Sequence, residues 1–356
     1  MNIKTIPVEP GGLKPKPDAD TTLGFGTRFT DYMFIMYYEK DKGWFDPAIK
    51  KFENISLSPA SLVFHYGQEI FEGLKAYLRV DGKIGLFRAD QNFMRLNKSA
   101  RRLVMPEVPV ETQRKALHEL LKLERDWFPN GKGESMYIRP TMIATQDVLG
   151  VKDSATYIFY IILSPSGAYY SKGFKPVRVL VEDHYIRAAI GGVGTAKTGG
   201  NYAASLLAGK KAQEKNCDQV LWLDAKEHKY VEEVGAMNIC FVINGKIVTS
   251  ELDGAILEGV TRDSLLQLAP TLGYDIEERK ISIDEIVESA KSGKLTECFG
   301  CGTAAVVSPV GELLYKNELV KISDEPGSVS VHLYDELTGI QYGRKEDRFG
   351  WTTIVG

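Results

Sequence analysis

The sequence predicts an α+β protein built from two domains. Runs of strand-like segments are interrupted by a few helices without strict alternation. The chain has 356 residues, 44% of them hydrophobic and 26% charged, which is more than a single core usually serves. A Pro-, Gly-, Ser- and Tyr-containing stretch, SPSGAYYSKG at 164–173, separates two strand-like runs as an interdomain linker does. The expected division is an N-terminal domain at 1–163, a linker at 164–174 and a C-terminal domain at 175–356.

Taken in order, residues 1–24 are polar and Pro-containing and read as a flexible arm. Tyr32 to Glu39 (YMFIMYYE) is an aromatic-rich, buried strand. Leu74 to Val80 and Lys83 to Phe87 flank Asp81-Gly82, a hairpin signal. A helix from Asp90 carries Phe93, Leu96, Ala100 and Leu103 on one stripe. A second, Thr112 to Trp127, carries Ala116, Leu117, Leu120, Leu121 and Leu123. Met136 to Thr145 and Tyr157 to Leu163 read as strands. The second half opens with the strand Pro176 to Glu182, followed by a helix at Asn201 to Lys215 and a strand at Gln219 to Asp224. Met237 to Ile243 and Lys246 to Thr249 flank Asn244-Gly245, another hairpin signal. Helices are expected at Thr261 to Leu272, Ile283 to Lys291 and Ser330 to Gln341, and Gly300 to Ser308 reads as a glycine turn into a strand.

Composition excludes several classes of function. The net charge is -3, so no basic stripe for nucleic acid is built. The longest apolar run, Tyr157 to Leu163, is too short to cross a bilayer, and the N-terminus lacks a signal core. Four cysteines in so long a chain make no disulfide framework, which points to a reducing cytoplasm.

The stretch with the clearest chemistry is GGVGTAKTGGNY, Gly191 to Tyr202. Its lysine, Lys197, sits in a glycine-rich loop rather than on a solvated helix face. A compact, dry loop disfavours an ammonium ion, and the neutral amine attacks carbonyls. Glu233, in EEVGAMN, precedes a Val-Gly turn into an apolar strand. LEGVTRDSLL, Leu257 to Leu266, places Gly259 before a helix start, so the amides of Val260 and Thr261 form an anion site. GTA, Gly302 to Ala304, adds a hydroxyl and two more amides. Each piece alone is common. A lysine amine, a separate carboxylate and a phosphate cradle have one economical common ligand, pyridoxal 5'-phosphate: the lysine takes the aldehyde, the carboxylate keeps the pyridine nitrogen protonated and the helix tip holds the phosphate. Cys298 and Cys301 lack a second cysteine pair for zinc and read as buried thiols; no metal is expected.

With FEGLKAY, YIRP, GGNY, EVGAMN, GVTR and GTA in this order, the chain resembles the branched-chain amino acid aminotransferases, class IV aminotransferases of the D-alanine aminotransferase fold (fold type IV). The resemblance runs from FGTRFTDYM (Phe25 to Met33) to GIQYGR (Gly339 to Arg344). It implies a smaller N-terminal α/β domain and a larger C-terminal domain with a mainly β pseudo-barrel that carries the lysine. It also implies ping-pong transfer of the amino group of leucine, isoleucine or valine to 2-oxoglutarate through a Lys197 aldimine, in a cytoplasmic homodimer. Residue by residue, Lys197 resembles the Schiff-base lysine and proton shuttle, Glu233 the pyridine-nitrogen partner and Tyr202 the partner of the phenolic oxygen. Arg95, with the Val260 and Thr261 amides and Thr303, resembles the phosphate site. The amides of Thr303 and Ala304 resemble the substrate α-carboxylate site. Tyr66, Tyr137 and Arg139 resemble the group that admits 2-oxoglutarate, and Phe25, Phe71 and Tyr169 the apolar pocket and lid. Burying a branched aliphatic side chain there is worth roughly 1.5–3 kcal/mol.

The sequence departs from animal relatives in carrying Ala236 after EVG, and Ala305 and Ser308 where those enzymes have a CxxC, so that redox switch is not expected. Among rivals, D-amino acid aminotransferases and aminodeoxychorismate lyases share the cofactor set but differ in the pocket-forming N-terminal domain. A P-loop is one glycine short, because Ala196 precedes Lys197. It also demands a strand before the loop and a helix at the lysine, where HYIRAAI precedes and TGGNY delays the helix.

Overall fold

The computed structural model describes residues 2–18, 21–167 and 174–356. The expected linker falls mostly on residues outside that description. The chain divides into two compact units. The first comprises Met1–Tyr169, Ala196–Gly199 and Gly339–Gly356; the second comprises Tyr170–Thr195 and Gly200–Thr338. The architecture is the expected α+β one, with a nine-stranded sheet in each unit.

In the first unit the strand order is Lys4–Thr5, Gly43–Lys51, Tyr32–Glu39, Thr156–Ser166, Ser135–Ala144, Leu74–Leu78, Ile84–Phe87 and Thr352–Val355, with Glu69–Phe71 paired to Ser135–Ala144. Every pairing is antiparallel except the first. The helices Ala89–Arg102 and Val110–Leu123 pack on each other and on strands Glu69–Phe71 and Tyr32–Glu39. Their apolar stripes, Phe93, Leu96 and Ala100 with Ala116, Leu117, Leu120 and Leu121, join Phe34, Met36, Phe159 and Ile161 in one core. The 3.6-residue spacing of those side chains puts them on one helix face, which is why periodicity located both helices.

The N-terminal residues are not a free arm. Lys4–Thr5 pairs in parallel with Ala48 and Ile49, and Ile3 is buried. Lys14 donates its backbone N–H to Asp31 at 2.8 Å and its ammonium to the Thr30 carbonyl at 2.7 Å. Asp31 also accepts from the Trp127 indole at 2.8 Å. Composition marks the segment as polar, but these long-range bonds tie it to the first unit at several points.

The other end of the chain also departs from expectation. Strand Thr352–Val355 pairs antiparallel with Ile84–Phe87, so residues 339–356 join the first unit rather than a C-terminal domain. Residues 196–199, which include Lys197, join it too. The Lys197 carbonyl accepts from the Phe71 amide at 3.0 Å, and its amide donates to Ser99 Oγ at 2.9 Å.

The second unit's sheet runs Val231–Val234, Gln219–Leu223, Val177–Glu182, Val306–Tyr315, Leu295–Gly302, Asn238–Ile243, Lys246–Thr249 and Ile276–Glu278, with Glu318–Lys321 beside Val306–Tyr315. One core holds Val179, Val181, Leu221, Phe241 and Leu313; another holds Leu180, Val220 and Trp222 against Ala208 and Ala212 of helix Gly199–Glu214. Asn244 and Gly245 take φ of 50° and 77°, the left-handed pair that a two-residue hairpin requires. The Asp81-Gly82 turn is wider, and its strands end at Leu78 and begin at Ile84. Gly300 to Gly302 ends a strand, and Val306 opens the next.

Candidate active site

Within the first unit, Lys197 sits in a nest of aromatic and charged side chains. Its amine lies 4.9 Å from the centre of the Phe71 ring. The Arg139 guanidinium stacks 4.7 Å over the same ring and donates to the Tyr137 hydroxyl at 2.9 Å. Phe25 meets Tyr137 edge-on, with centroids 4.7 Å apart. A Cβ on Gly73 would overlap the Tyr137 hydroxyl, so the glycine of FEG makes room for the tyrosine of YIRP. Five of the sequence-predicted residues, Lys197, Phe25, Phe71, Tyr137 and Arg139, are thus linked by contacts.

The electrostatics of the lysine follow from this nest. Burial, reinforced by the Arg95 charge and then by Arg139, pushes its amine down to about 8, while Glu72 and Tyr137 pull the other way. A neutral amine is the nucleophilic form, and at pH 7 roughly one in ten would be neutral at that value.

Arg95 makes a bidentate ion pair with Glu72: Nε to Oε1 at 2.7 Å and Nη2 to Oε2 at 2.9 Å. Asn92 donates to the same carboxylate at 2.9 Å. Burial favours the neutral Glu72 carboxyl, yet the Arg95 charge and hydrogen bonds, with Lys197 and Asn92, hold it below the ordinary glutamate range. Tyr66 ends the short helix Leu62–Tyr66, is largely exposed and donates to the Leu149 carbonyl. Tyr169 lies outside the described residues.

The second unit brings the other motifs together. Glu233, buried in strand Val231–Val234, accepts from the Leu257 amide at 2.7 Å and pairs with Arg187 Nε at 2.8 Å. Asn238, of the same EVGAMN motif, donates to the Leu257 carbonyl at 2.9 Å. Glu233 and Asn238 together therefore fix the start of LEGVTR. Gly259 caps the helix Val260–Thr271, and no side chain caps it, so the amides of Val260 and Thr261 keep their anion-binding character. Asn238 lies opposite Cys301, and Gly302 opposite Val306, which places Thr303 and Ala304 in the turn at the end of those strands. Tyr202 is half-buried in the first turn of helix Gly199–Glu214.

Each set fits its part of pyridoxal phosphate. In the first unit the amine is desolvated; in the second, taken by itself, the carboxylate is buried and fixed and the helix tip has no capping side chain. Sequence reasoning missed Glu72, Ser99 and Arg187. Glu72 sits inside the quoted FEGLKAY run, and Arg187 inside HYIRAAI, where nothing local distinguishes either from a solvated charge. The helix after the lysine opens at Gly199, sooner than expected, but turns rather than a strand fill residues 183–196, so the P-loop context is not met. The four cysteines are buried free thiols, the state expected of Cys298 and Cys301, with Cys240 hydrogen-bonded to Cys301. Among the described residues no cluster suits a metal ion.

The sequence matches the family model of amino-transferase class IV over residues 69–313, and the chain belongs to that family, whose cofactor is pyridoxal phosphate. It is 52% identical, over 100% of its length and 98% of the relative's, to the branched-chain-amino-acid aminotransferase 2 of Bacillus subtilis (strain 168). It is 55% identical, over 96% of each chain, to a probable branched-chain-amino-acid aminotransferase of Staphylococcus aureus (strain MRSA252). Its fold is similar to the branched-chain amino acid aminotransferase of Escherichia coli, with a TM-score of 0.77 and 25% identity over 92% of this chain and 99% of that one. It is also similar to the T.th. branched-chain amino acid aminotransferase crystallised with pyridoxamine 5'-phosphate, with a TM-score of 0.74 and 28% identity over 90% of this chain and 98% of that one. Within class IV, the chain therefore falls in the branched-chain amino acid aminotransferase family.

Proposed function

We propose that this enzyme transfers the amino group of L-leucine, L-isoleucine or L-valine to 2-oxoglutarate, giving branched-chain 2-oxo acids and L-glutamate. The carrying observation is full-length identity above one half to branched-chain aminotransferases in a chain whose half-buried Lys197 sets its amine 4.9 Å from the centre of the Phe71 ring.

Bound pyridoxal phosphate supplies an electron sink for a carbanion at the substrate α-carbon. Lys197 is the amine that would hold the cofactor at its aldehyde and would carry the α-proton. Its lowered basicity suits both tasks, because the neutral form is accessible near neutral pH. Glu233, an anion fixed by the Leu257 amide and Arg187, would partner the pyridine nitrogen, and Tyr202 would partner the phenolic oxygen. Arg95, the Val260 and Thr261 amides and Thr303 would hold the phosphate, and the Thr303 and Ala304 amides would hold the α-carboxylate. Phe25 and Phe71, with Tyr169 by resemblance alone, would form the pocket for the aliphatic side chain. Tyr66, Tyr137 and Arg139 receive the second carboxylate of 2-oxoglutarate; the Arg139–Tyr137 bond supports this by presenting a cation beside an apolar ring.

The reading extends to a homodimer in the cytoplasm. Phe64, Tyr66, Leu149 and Val151 are exposed on two adjoining segments, an apolar surface suited to a second copy. Buried free thiols suit a reducing compartment, and no helix among the described residues is long and apolar enough to cross a membrane.

The test is amino transfer from the three branched L-amino acids to 2-oxoglutarate, run beside D-alanine and aminodeoxychorismate. Turnover with the L-amino acids at least tenfold above the others is expected. Preference for D-alanine would overturn the substrate assignment, and sedimentation as a fully active monomer would overturn the dimer.

A further inference from the structure

Glu233 is not held by its own strand alone. Arg187, itself 7% exposed, belongs to the turn-rich segment that follows strand Val177–Glu182. Its Nε meets Glu233 Oε2 at 2.8 Å, and its Nη1 donates to the Ala255 carbonyl at 3.2 Å. The Leu257 amide meets the other carboxylate oxygen at 2.7 Å. Both oxygens of Glu233 are therefore fixed, one by a cation and one by a backbone dipole, and the cation is itself tied to the segment that supplies the dipole.

The surroundings make that cation consequential. Glu232, next along the strand, has an oxygen with no hydrogen-bond partner, and burial with the charges of Asp253, Glu233 and Asp224 pushes it up to about 8. Arg187 opposes that drift. The Cys301 thiol of strand Leu295–Gly302 feels the Arg262 charge and, more weakly, that of Glu233. A buried carboxylate among acids, without a paired cation, takes up a proton instead of remaining an anion.

We propose that Arg187 is the positioning residue of the cofactor's pyridine site: its guanidinium keeps Glu233 ionised and aimed, so that the ring nitrogen retains its proton. The proposal rests on the assignment of Glu233 to that nitrogen. Arg187 touches neither ring nor substrate in this role; it acts through Glu233.

The experiment is a double-mutant cycle with R187Q, E233Q and the double variant, plus R187K. Each variant is read by stopped-flow absorbance of the first half-reaction with L-leucine, by cofactor dissociation and by melting of the cofactor-free protein. The expected R187Q loss is roughly 10- to 100-fold in the half-reaction rate, the range for a group that orients a liganding side chain. R187K should recover most of it, and R187Q should cost little further in the E233Q background, because both act on one contact. A cofactor-free double variant that melts higher than R187Q is also expected, since it no longer buries an unpaired carboxylate. Should R187Q fold poorly, the R187K and double-variant arms still decide the matter. Losses that multiply across the cycle, or a wild-type rate in R187Q, would overturn the proposal while leaving Glu233 in place. A wild-type rate in E233Q would overturn the Glu233 assignment and the proposal with it.

Discussion

Glu72 grips Arg95 with both carboxylate oxygens, at 2.7 and 2.9 Å, and its side chain has no exposed surface. Charge inside a protein is tolerated when it is paired and fully hydrogen-bonded, and Asn92 completes this pair. The consequence reaches the lysine, because Glu72 is an anion that raises the Lys197 amine.

Glu72→Gln should therefore have two effects. Leaving Arg95 without its counter-ion costs about 3–5 kcal/mol of stability. The Lys197 amine should also titrate lower than about 8, since an anion that favours its charged form is gone. Denaturant melts and the pH dependence of lysine trapping by pyridoxal phosphate and borohydride check the two parts. A midpoint that moves upward would contradict the electrostatic account.

Lys197→Ala should remove amino transfer, with a loss of at least about 10⁴-fold, because the proposed nucleophile and proton carrier vanish together. Cofactor retention should weaken without disappearing, since Glu233 and the helix tip are untouched. Equilibrium dialysis and the half-reaction rate measure these separately. Normal turnover would remove the central role given to this residue.

Gly73→Ala should disturb substrate binding more than cofactor binding. The new methyl occupies the place of the Tyr137 hydroxyl, which Arg139 contacts at 2.9 Å. Displacing that hydroxyl should raise KM for 2-oxoglutarate about tenfold, as expected for one lost polar contact of about 1.4 kcal/mol. The measurement is steady-state kinetics with leucine saturating, and an unchanged KM would show that the Tyr137–Arg139 pair does not receive the dicarboxylate.

Glu124 gives the fold a pH dependence. Burial, helped by the Asp31 charge, pushes it up to about 7 from an ordinary 4.5, although the Tyr32 amide and Thr30 oppose this. Between these two values the folded state holds a proton that the unfolded state has released. Stability from this group is present below about 4.5 and is lost as pH rises toward 7. Glu124→Gln keeps an oxygen for the Tyr32 amide and removes that loss. The variant should gain about 1–3 kcal/mol over the parent at pH 8 and almost nothing at pH 4.5, by urea unfolding. Equal gains at both values would refute the titration.

Much of the candidate site was legible as chemistry. Lys197 stood out because a glycine loop is a poor place for a solvated ammonium, and Val260 because a glycine ahead of a helix start exposes amides. Phe71, Tyr137 and Arg139 were nameable only by resemblance, since an aromatic or an arginine in a strand looks the same whether it packs or binds. Strand Gly43–Lys51 went unread because Pro47 and scattered charges hide its alternation, although it pairs along most of Tyr32–Glu39. Strand Thr352–Val355 is too short to announce itself.

By itself the sequence determined the types and order of most elements and the kinds of reactive group available, because periodicity, turn residues and glycine loops act over a few neighbouring residues. Only the tertiary structure decided which charges neutralise which, Glu72 with Arg95 and Arg187 with Glu233, and that the C-terminal strand pairs with Ile84–Phe87. Such pairings depend on sheet register and on which distant segments share a buried face, and a local pattern of residues carries no record of either.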